Sequence, residues 1–171
     1  MSPKLSASSL RVLKESARAR VEEATPRLPF AAAGLALEIF CDGASRGNPG
    51  PAGAGALLRV EDGGKVLARV CKPLGRATNN EAEYAALLLG LQEARRLNAE
   101  RVSVFADSEL VIKQLNGVYR VKHPVMRERH QEAMRLLAQF KAWRATHVPR
   151  ERNTEADRLA NQALDDPGGR P

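Results

Sequence analysis

Apolar positions follow two rhythms along this chain. Leu37, Ile39, Phe40 and Cys41 form a short apolar run that ends at the acidic Asp42. The next stretch, GASRGNPGPAGAG over 43–55, carries too much glycine and proline for a helix and is expected to be a tight loop. It lacks the Gly-Lys-Ser/Thr ending of a nucleotide-binding P-loop and opens no helix, so that reading is set aside. Two strand-like runs follow, Ala54 to Val60 and Lys65 to Cys71, separated by the hairpin signal Glu61-Asp62-Gly63-Gly64. The first three strands are therefore predicted to form an antiparallel meander.

From Asn80 to Leu97 the period becomes helical, with Thr78, Asn79 or Asn80 as the N-cap. Glu83, Ala86, Leu87, Gly90, Ala94 and Leu97 share one stripe, so a carboxylate heads an apolar face, and Glu81 lies off it. Arg101 to Phe105 alternates as a strand and reaches Ala106-Asp107-Ser108 before a helical run from Glu109 to Leu115. Asn116-Gly117 breaks the pattern. Pro124 opens a helix to about Phe140 whose stripe is Val125, Met126, Arg129, Ala133, Leu136, Leu137 and Phe140. Lys141 to Val148 is a last strand. The last helix takes Asn153 as its cap, buries Ala156, Leu159, Ala160, Ala163 and Leu164, and keeps Asp157 at the edge of that side. Three strands, then helix, strand, helices, strand and helix describe a mixed α/β protein.

Residues 1–36 differ from the rest. Leu10, Leu13, Ala17, Val21 and Ala24 recur at helical spacing until Pro26 and Pro29, which predicts one amphipathic helix and a linker. It either docks on the main domain or serves as a nucleic-acid or protein contact arm. The main domain is expected over 37–165, with a flexible tail at 166–171.

A length of 171 residues with 43% hydrophobic content supports a single core, and a net charge of +7 favours a polyanionic partner without specifying a fold. Two cysteines, Cys41 and Cys71, are too few for a disulfide framework or a four-ligand zinc site, and are read as reduced core residues of a cytoplasmic protein. No stretch resembles a signal peptide or a membrane span.

Four acids stand at core-facing edges: Asp42, Glu83, Asp107 and Asp157. Each alone reads equally well as a strand-end or first-turn acid. Together, without local Lys or Arg partners, they are hard to keep ionised unless divalent cations receive them, and an all-oxygen set selects Mg²⁺ or Mn²⁺ over zinc.

The segments Asp42-Gly43-Ala44-Ser45-Arg46-Gly47-Asn48-Pro49-Gly50, Thr78-Asn79-Asn80-Glu81-Ala82-Glu83-Tyr84, Ala106-Asp107-Ser108 and Asn153-Thr154-Glu155-Ala156-Asp157-Arg158-Leu159-Ala160 resemble, in order, the four motifs of type 1 ribonuclease H. The resemblance covers roughly 37–164. It implies a five-stranded mixed sheet, antiparallel in its first three strands and then parallel, flanked by helices. It also implies a monomeric endonuclease that hydrolyses the RNA strand of RNA/DNA hybrids and leaves 5′-phosphate and 3′-hydroxyl ends. Asp42, Glu83, Asp107 and Asp157 match the catalytic carboxylates, which hold two Mg²⁺ or Mn²⁺ ions about 3.5–4 Å apart. Ser45, Asn48, Asn79, Asn80 and Glu83 match positions that read the 2′-hydroxyl. Arg76 and Thr78, with Asn48, match positions that hold a DNA-strand phosphate.

Two departures accompany the match. The region from Asn116 to Pro124 is too short for the family's basic protrusion and offers Arg120, Lys122 and His123 beside Tyr119, of which Tyr119 and Lys122 are taken as nucleic-acid contacts. Of the two candidates for the residue that assists turnover, Arg150 is preferred over His147, which sits at a strand end, and His123 and His130 are taken as surface residues. A ribonuclease H-like domain that binds hybrid or double-stranded RNA with little cleavage is the alternative function.

Overall fold

A computed structural model describes residues 34–168; the helix expected within 1–36 lies outside them, apart from the first residues of β1. The elements are β1 (Leu35–Ser45), β2 (Gly50–Val60), β3 (Val66–Ala77), α1 (Asn79–Arg96), β4 (Ala99–Ala106), α2 (Glu109–Leu115), α3 (Pro124–Leu137), β5 (Ala142–His147), a 3₁₀ turn (Arg150–Arg152) and α4 (Thr154–Asp165). The strands form one sheet in the order β3-β2-β1-β4-β5. β1, β2 and β3 pair antiparallel, while β4 lies parallel to β1 and β5 parallel to β4. That is the mixed sheet expected.

The two faces of β1 are covered by different helices, because successive side chains point to opposite sides. On one face, Gly90 brings α1 against Ile39: a Cβ there would stand 2.5 Å from the Ile39 Cγ2. On the other face, Gly55, paired with Asp42, admits α4, since a Cβ on Gly55 would meet the Ala160 nitrogen at 2.5 Å and the Leu159 Cβ at 2.6 Å. α3 packs outside α1. Leu37, Ile39, Leu58, Leu87, Leu91, Val104 and Leu137 are wholly buried between these layers. Each such burial stabilises the fold by about 1.5–3 kcal/mol.

Several boundaries moved from their expected places. β2 begins at Gly50, inside the stretch expected to be a loop, and only residues 46–49 turn between β1 and β2. The small residues there serve the approach of α4, a demand that sequence cannot distinguish from that of a turn. The 61–64 hairpin is present, with positive φ at Asp62 and Gly63. α3 buries Met126, Ala133 and Leu137 and leaves Val125 exposed, so its inner stripe is rotated from the expected one. His130 falls on that stripe and is half-buried, with Nε2 3.1 Å from the Gln114 carbonyl oxygen, and is not a free surface residue. Cys71 is half-buried on β3, not in the core.

Candidate active site

Each acid reaches the site by a different local device. Asp42 is carried by β1, still within the strand and not in the loop after it. Because β4 runs parallel to β1 with Ala106 beside Cys41, its carboxyl end delivers Asp107 next to Asp42, where an open α/β sheet presents its ligands. Glu83 comes from the first turns of α1. Thr78 caps that helix, accepting from the Glu81 N–H at 3.2 Å while Glu81 Oε2 accepts from the Thr78 N–H at 2.7 Å. This capping box explains Glu81. Gly43 lets the helix start close in, since a Cβ there would stand 2.1 Å from the Ala82 carbonyl carbon, and its N–H donates to Glu83 Oε2 at 3.4 Å.

Ligand atoms of Asp42, Glu83 and Asp107 all lie within 4.8 Å of one another. Asp42 and Glu83 are buried, and Asp107 is half-buried. Burial first, then the Glu83 and Asp107 carboxylates and after them the nearby Asp157, push the Asp42 carboxyl up to about 9. Burial and then Asp107 push Glu83 up to about 8, against the opposing bonds from Gly43 and Asp42. Cys41, fully buried beside them, is held well above its ordinary value by burial and then by the same acids. Crowded oxygen donors with no cation among them suit a hard divalent ion.

Asp157 flanks this trio rather than joining it. It lies in the first turn of α4, half-buried, with Arg150 Nη2 3.7 Å from its Oδ1. His147, at the end of β5, is exposed.

Around the start of α1 a second group assembles. Asn48 Oδ1 accepts from the Asn79 N–H at 3.2 Å, and the single Ser45 hydroxyl proton has two acceptors in reach, the Ala77 carbonyl at 2.9 Å and the Gly47 carbonyl. Arg76 Nη2 donates to the Pro49 carbonyl at 3.5 Å, and Asn80 is exposed beside Asn79. Ser45, Asn48, Arg76, Thr78, Asn79 and Asn80 thus line one edge of the glycine turn. Tyr119 and Lys122 belong to a separate patch on the 116–123 loop. There the Lys113 ammonium donates to the Tyr119 hydroxyl at 3.1 Å and sits 4.8 Å from its ring centre. Arg120, Val121, Lys122 and Arg127 line an adjacent cavity of about 440 Å³.

Asn153 stands at the N-cap of α4 as expected, but its side chain serves the site. Asn153 makes no side-chain cap bond to α4. It is buried, and its Nδ2 donates to the Cys41 carbonyl and to Asp107 Oδ1, both at 2.9 Å. The asparagine before a helical run read as a cap, and no signal in the sequence ties it to Asp107.

The chain matches the reverse transcriptase-like family model over residues 40–163. A bifunctional protein of Mycobacterium tuberculosis is 49% identical over 131 residues, which are 77% of this chain and 36% of that protein. Ribonuclease HI of Halobacterium salinarum is 46% identical over 130 residues, 76% of this chain and 65% of the relative. This chain therefore spans about a third of one relative and just under two thirds of the other. The crystal structure of the Halobacterium RNase H1 has a TM-score of 0.74, covering 77% of this chain and 98% of that one. LC11-RNase H1, solved in complex with RNA/DNA hybrid, is 36% identical with a TM-score of 0.73, covering 78% and 99%. Carboxylates drawn to one strand end by β1, β4 and α1, on a sheet shared with these structures, make this chain a member of the type 1 ribonuclease H family.

Proposed function

We propose that this chain is a metal-dependent endoribonuclease that hydrolyses the RNA strand of RNA/DNA hybrids to 5′-phosphate and 3′-hydroxyl ends. The supporting observation is the trio Asp42, Glu83 and Asp107, with ligand atoms within 4.8 Å. These three, with Asp157, would hold two Mg²⁺ or Mn²⁺ ions. Bound there, the ions supply Lewis acidity for the attacking water and for the departing 3′ oxygen. The chain's own groups orient the substrate. Glu83, steadied by the Gly43 N–H, and the side chains of Ser45, Asn48, Asn79 and Asn80 meet a 2′-hydroxyl that both donates and accepts.

Arg76, Thr78 and Asn48 sit where α1 begins, and the Arg76 guanidinium together with the positive dipole end of that helix favours a phosphate of the DNA strand. Arg150 guards Asp157 and exchanges that carboxylate for the product's new phosphate during release, a task His147 is less well placed to perform. Tyr119 and Lys122 add a stacking surface and a charge from the 116–123 loop. The two free cysteines fit a reducing cytoplasm, and the protein acts as a monomer. No helix among the described residues is long and apolar enough to cross a membrane.

Labelled RNA/DNA, RNA/RNA and DNA/DNA duplexes incubated with Mg²⁺, Mn²⁺ or EDTA test the reading. Cleavage of the hybrid's RNA strand with either metal and none in EDTA is expected. Hybrid left intact under every metal, yet still bound, would replace the nuclease with a binding domain.

A further inference from the structure

Asn153 stands at the N-cap of α4, yet its side chain does no capping. It is 2% exposed, and both hydrogens of its amide are spent inside the site, on the Cys41 carbonyl and on Asp107 Oδ1. Among the described residues its own Oδ1 is buried without a partner, and α4 goes without a side-chain cap. The backbone of the same residue closes the circle. Its N–H donates to the Arg150 carbonyl at 3.0 Å, and its carbonyl accepts from the Asp157 N–H at 3.1 Å. One residue therefore touches the strand that carries Asp42, the carboxylate of Asp107, the turn that carries Arg150 and the helix that carries Asp157.

We propose that Asn153 is a positioning residue for the divalent-metal site: its amide locks Asp107 by one oxygen, in register with Asp42, and fastens both to the segment bearing Arg150 and Asp157. A carboxylate on a strand end is free to rotate, and a rotated Asp107 would leave the trio. A neutral amide holds it without adding a charge that would compete with the cation. A lysine or arginine in the same place would neutralise the acid and remove the reason for a metal to bind. An uncharged donor is the side chain that orients Asp107 and leaves its charge available. Retention of an amide whose oxygen is orphaned is costly for packing alone, because an apolar residue of similar size would leave no such atom.

This inference rests on the metal-dependent reading above. Asn153→Ala removes the donor, and Asn153→Asp keeps the size while replacing the donor with an acceptor. Mg²⁺ and Mn²⁺ affinity is measured by calorimetry on the full chain without nucleic acid. The metal concentration for half-maximal hybrid cleavage is then measured, with hybrid affinity in EDTA as the control. Both variants should bind metal about 10–100-fold more weakly, the usual scale for losing a group that orients a ligand. Their half-maximal metal concentration should rise by a similar factor, with hybrid affinity in EDTA unchanged. Metal affinity within twofold of wild type in both variants, whatever their melting temperatures, would overturn the proposal, as would failure of both to fold. Wild-type protein that binds neither ion would overturn the metal-dependent reading itself, a result separable from the variant-to-wild-type ratio.

Discussion

Glu38 and Asp42 lie four residues apart on β1, on the same face and almost equally buried, at 8% and 5% exposed. Their fates differ because of what stands across the ladder. Glu38 pairs in register with Arg59, whose Nε lies 2.5 Å from Glu38 Oε2 while its guanidinium stacks 4.7 Å from the Phe40 ring centre. Asp42 pairs with Gly55, which has no side chain to offer and instead admits α4 with Asp157. One acid is neutralised within the fold; the other is surrounded by acids. Burial alone therefore does not tell the two carboxylates apart; the residue that faces each across the ladder does.

Breaking this contrast at Asp42 should have the largest effect. Asp42→Asn should lower hybrid cleavage by on the order of 10³-fold or more, as expected when one member of a concerted catalytic set is lost, while the fold survives. Glu38→Gln should do the reverse, leaving cleavage within about twofold while destabilising the chain, since it strands Arg59. Single-turnover assays and thermal melts on the two variants separate the outcomes, and a cleavage loss in Glu38→Gln comparable to that in Asp42→Asn would erase the distinction.

Gly55→Ala tests the other half of the comparison. A methyl group at 2.5–2.7 Å from α4 backbone atoms forces the helix outward, costing about 1–3 kcal/mol of stability and displacing Asp157. Urea denaturation measures the first effect, and metal affinity the second.

The pH dependence should be smaller and equally diagnostic. Asp42 and Glu83 hold protons in the folded, metal-free state up to about 9 and about 8, whereas the unfolded chain releases them near the ordinary 3.8 and 4.5. Between those limits the native state binds more protons than the unfolded one, so stability in EDTA falls as pH rises from about 4 to about 9. Mg²⁺ should raise the melting temperature more at pH 8 than at pH 5. Asp42→Asn should flatten the slope in EDTA, and Glu38→Gln should retain it. The destabilisation by Glu38→Gln itself should be about 1–3 kcal/mol, below that of a fully buried pair because the Arg59 side chain is 34% exposed.

Much of this was legible beforehand where local pattern and long-range demand agree. The alternation of Val102 and Val104, the turn at Asp62-Gly63 and the stripe under Gly90 each state their own structure; the antiparallel meander follows from the order of the elements, and the parallel strands beyond it from the family resemblance. Legibility failed where one residue type serves two purposes. Gly50, Gly53 and Gly55 read as a loop but lie in β2, where Gly53 and Gly55 face α4. Asn153 read as a cap but holds Asp107.

The amino-acid order by itself put four acids at core-facing edges, with periodicity assigning each to a strand end or helix start, and the resemblance to type 1 ribonuclease H motifs proposed Asp42, Glu83, Asp107 and Asp157 as the set that acts together. Tertiary structure alone decided that three of them converge while Asp157 stands beside Arg150, that Glu38 is silenced by Arg59, and that Asn153 fastens Asp107 to β1. The reason is physical. A side chain's type and local phase are written in its neighbours along the chain, but the charge it faces is set by strand register and helix approach, which bring together residues as distant as Cys41 and Asn153.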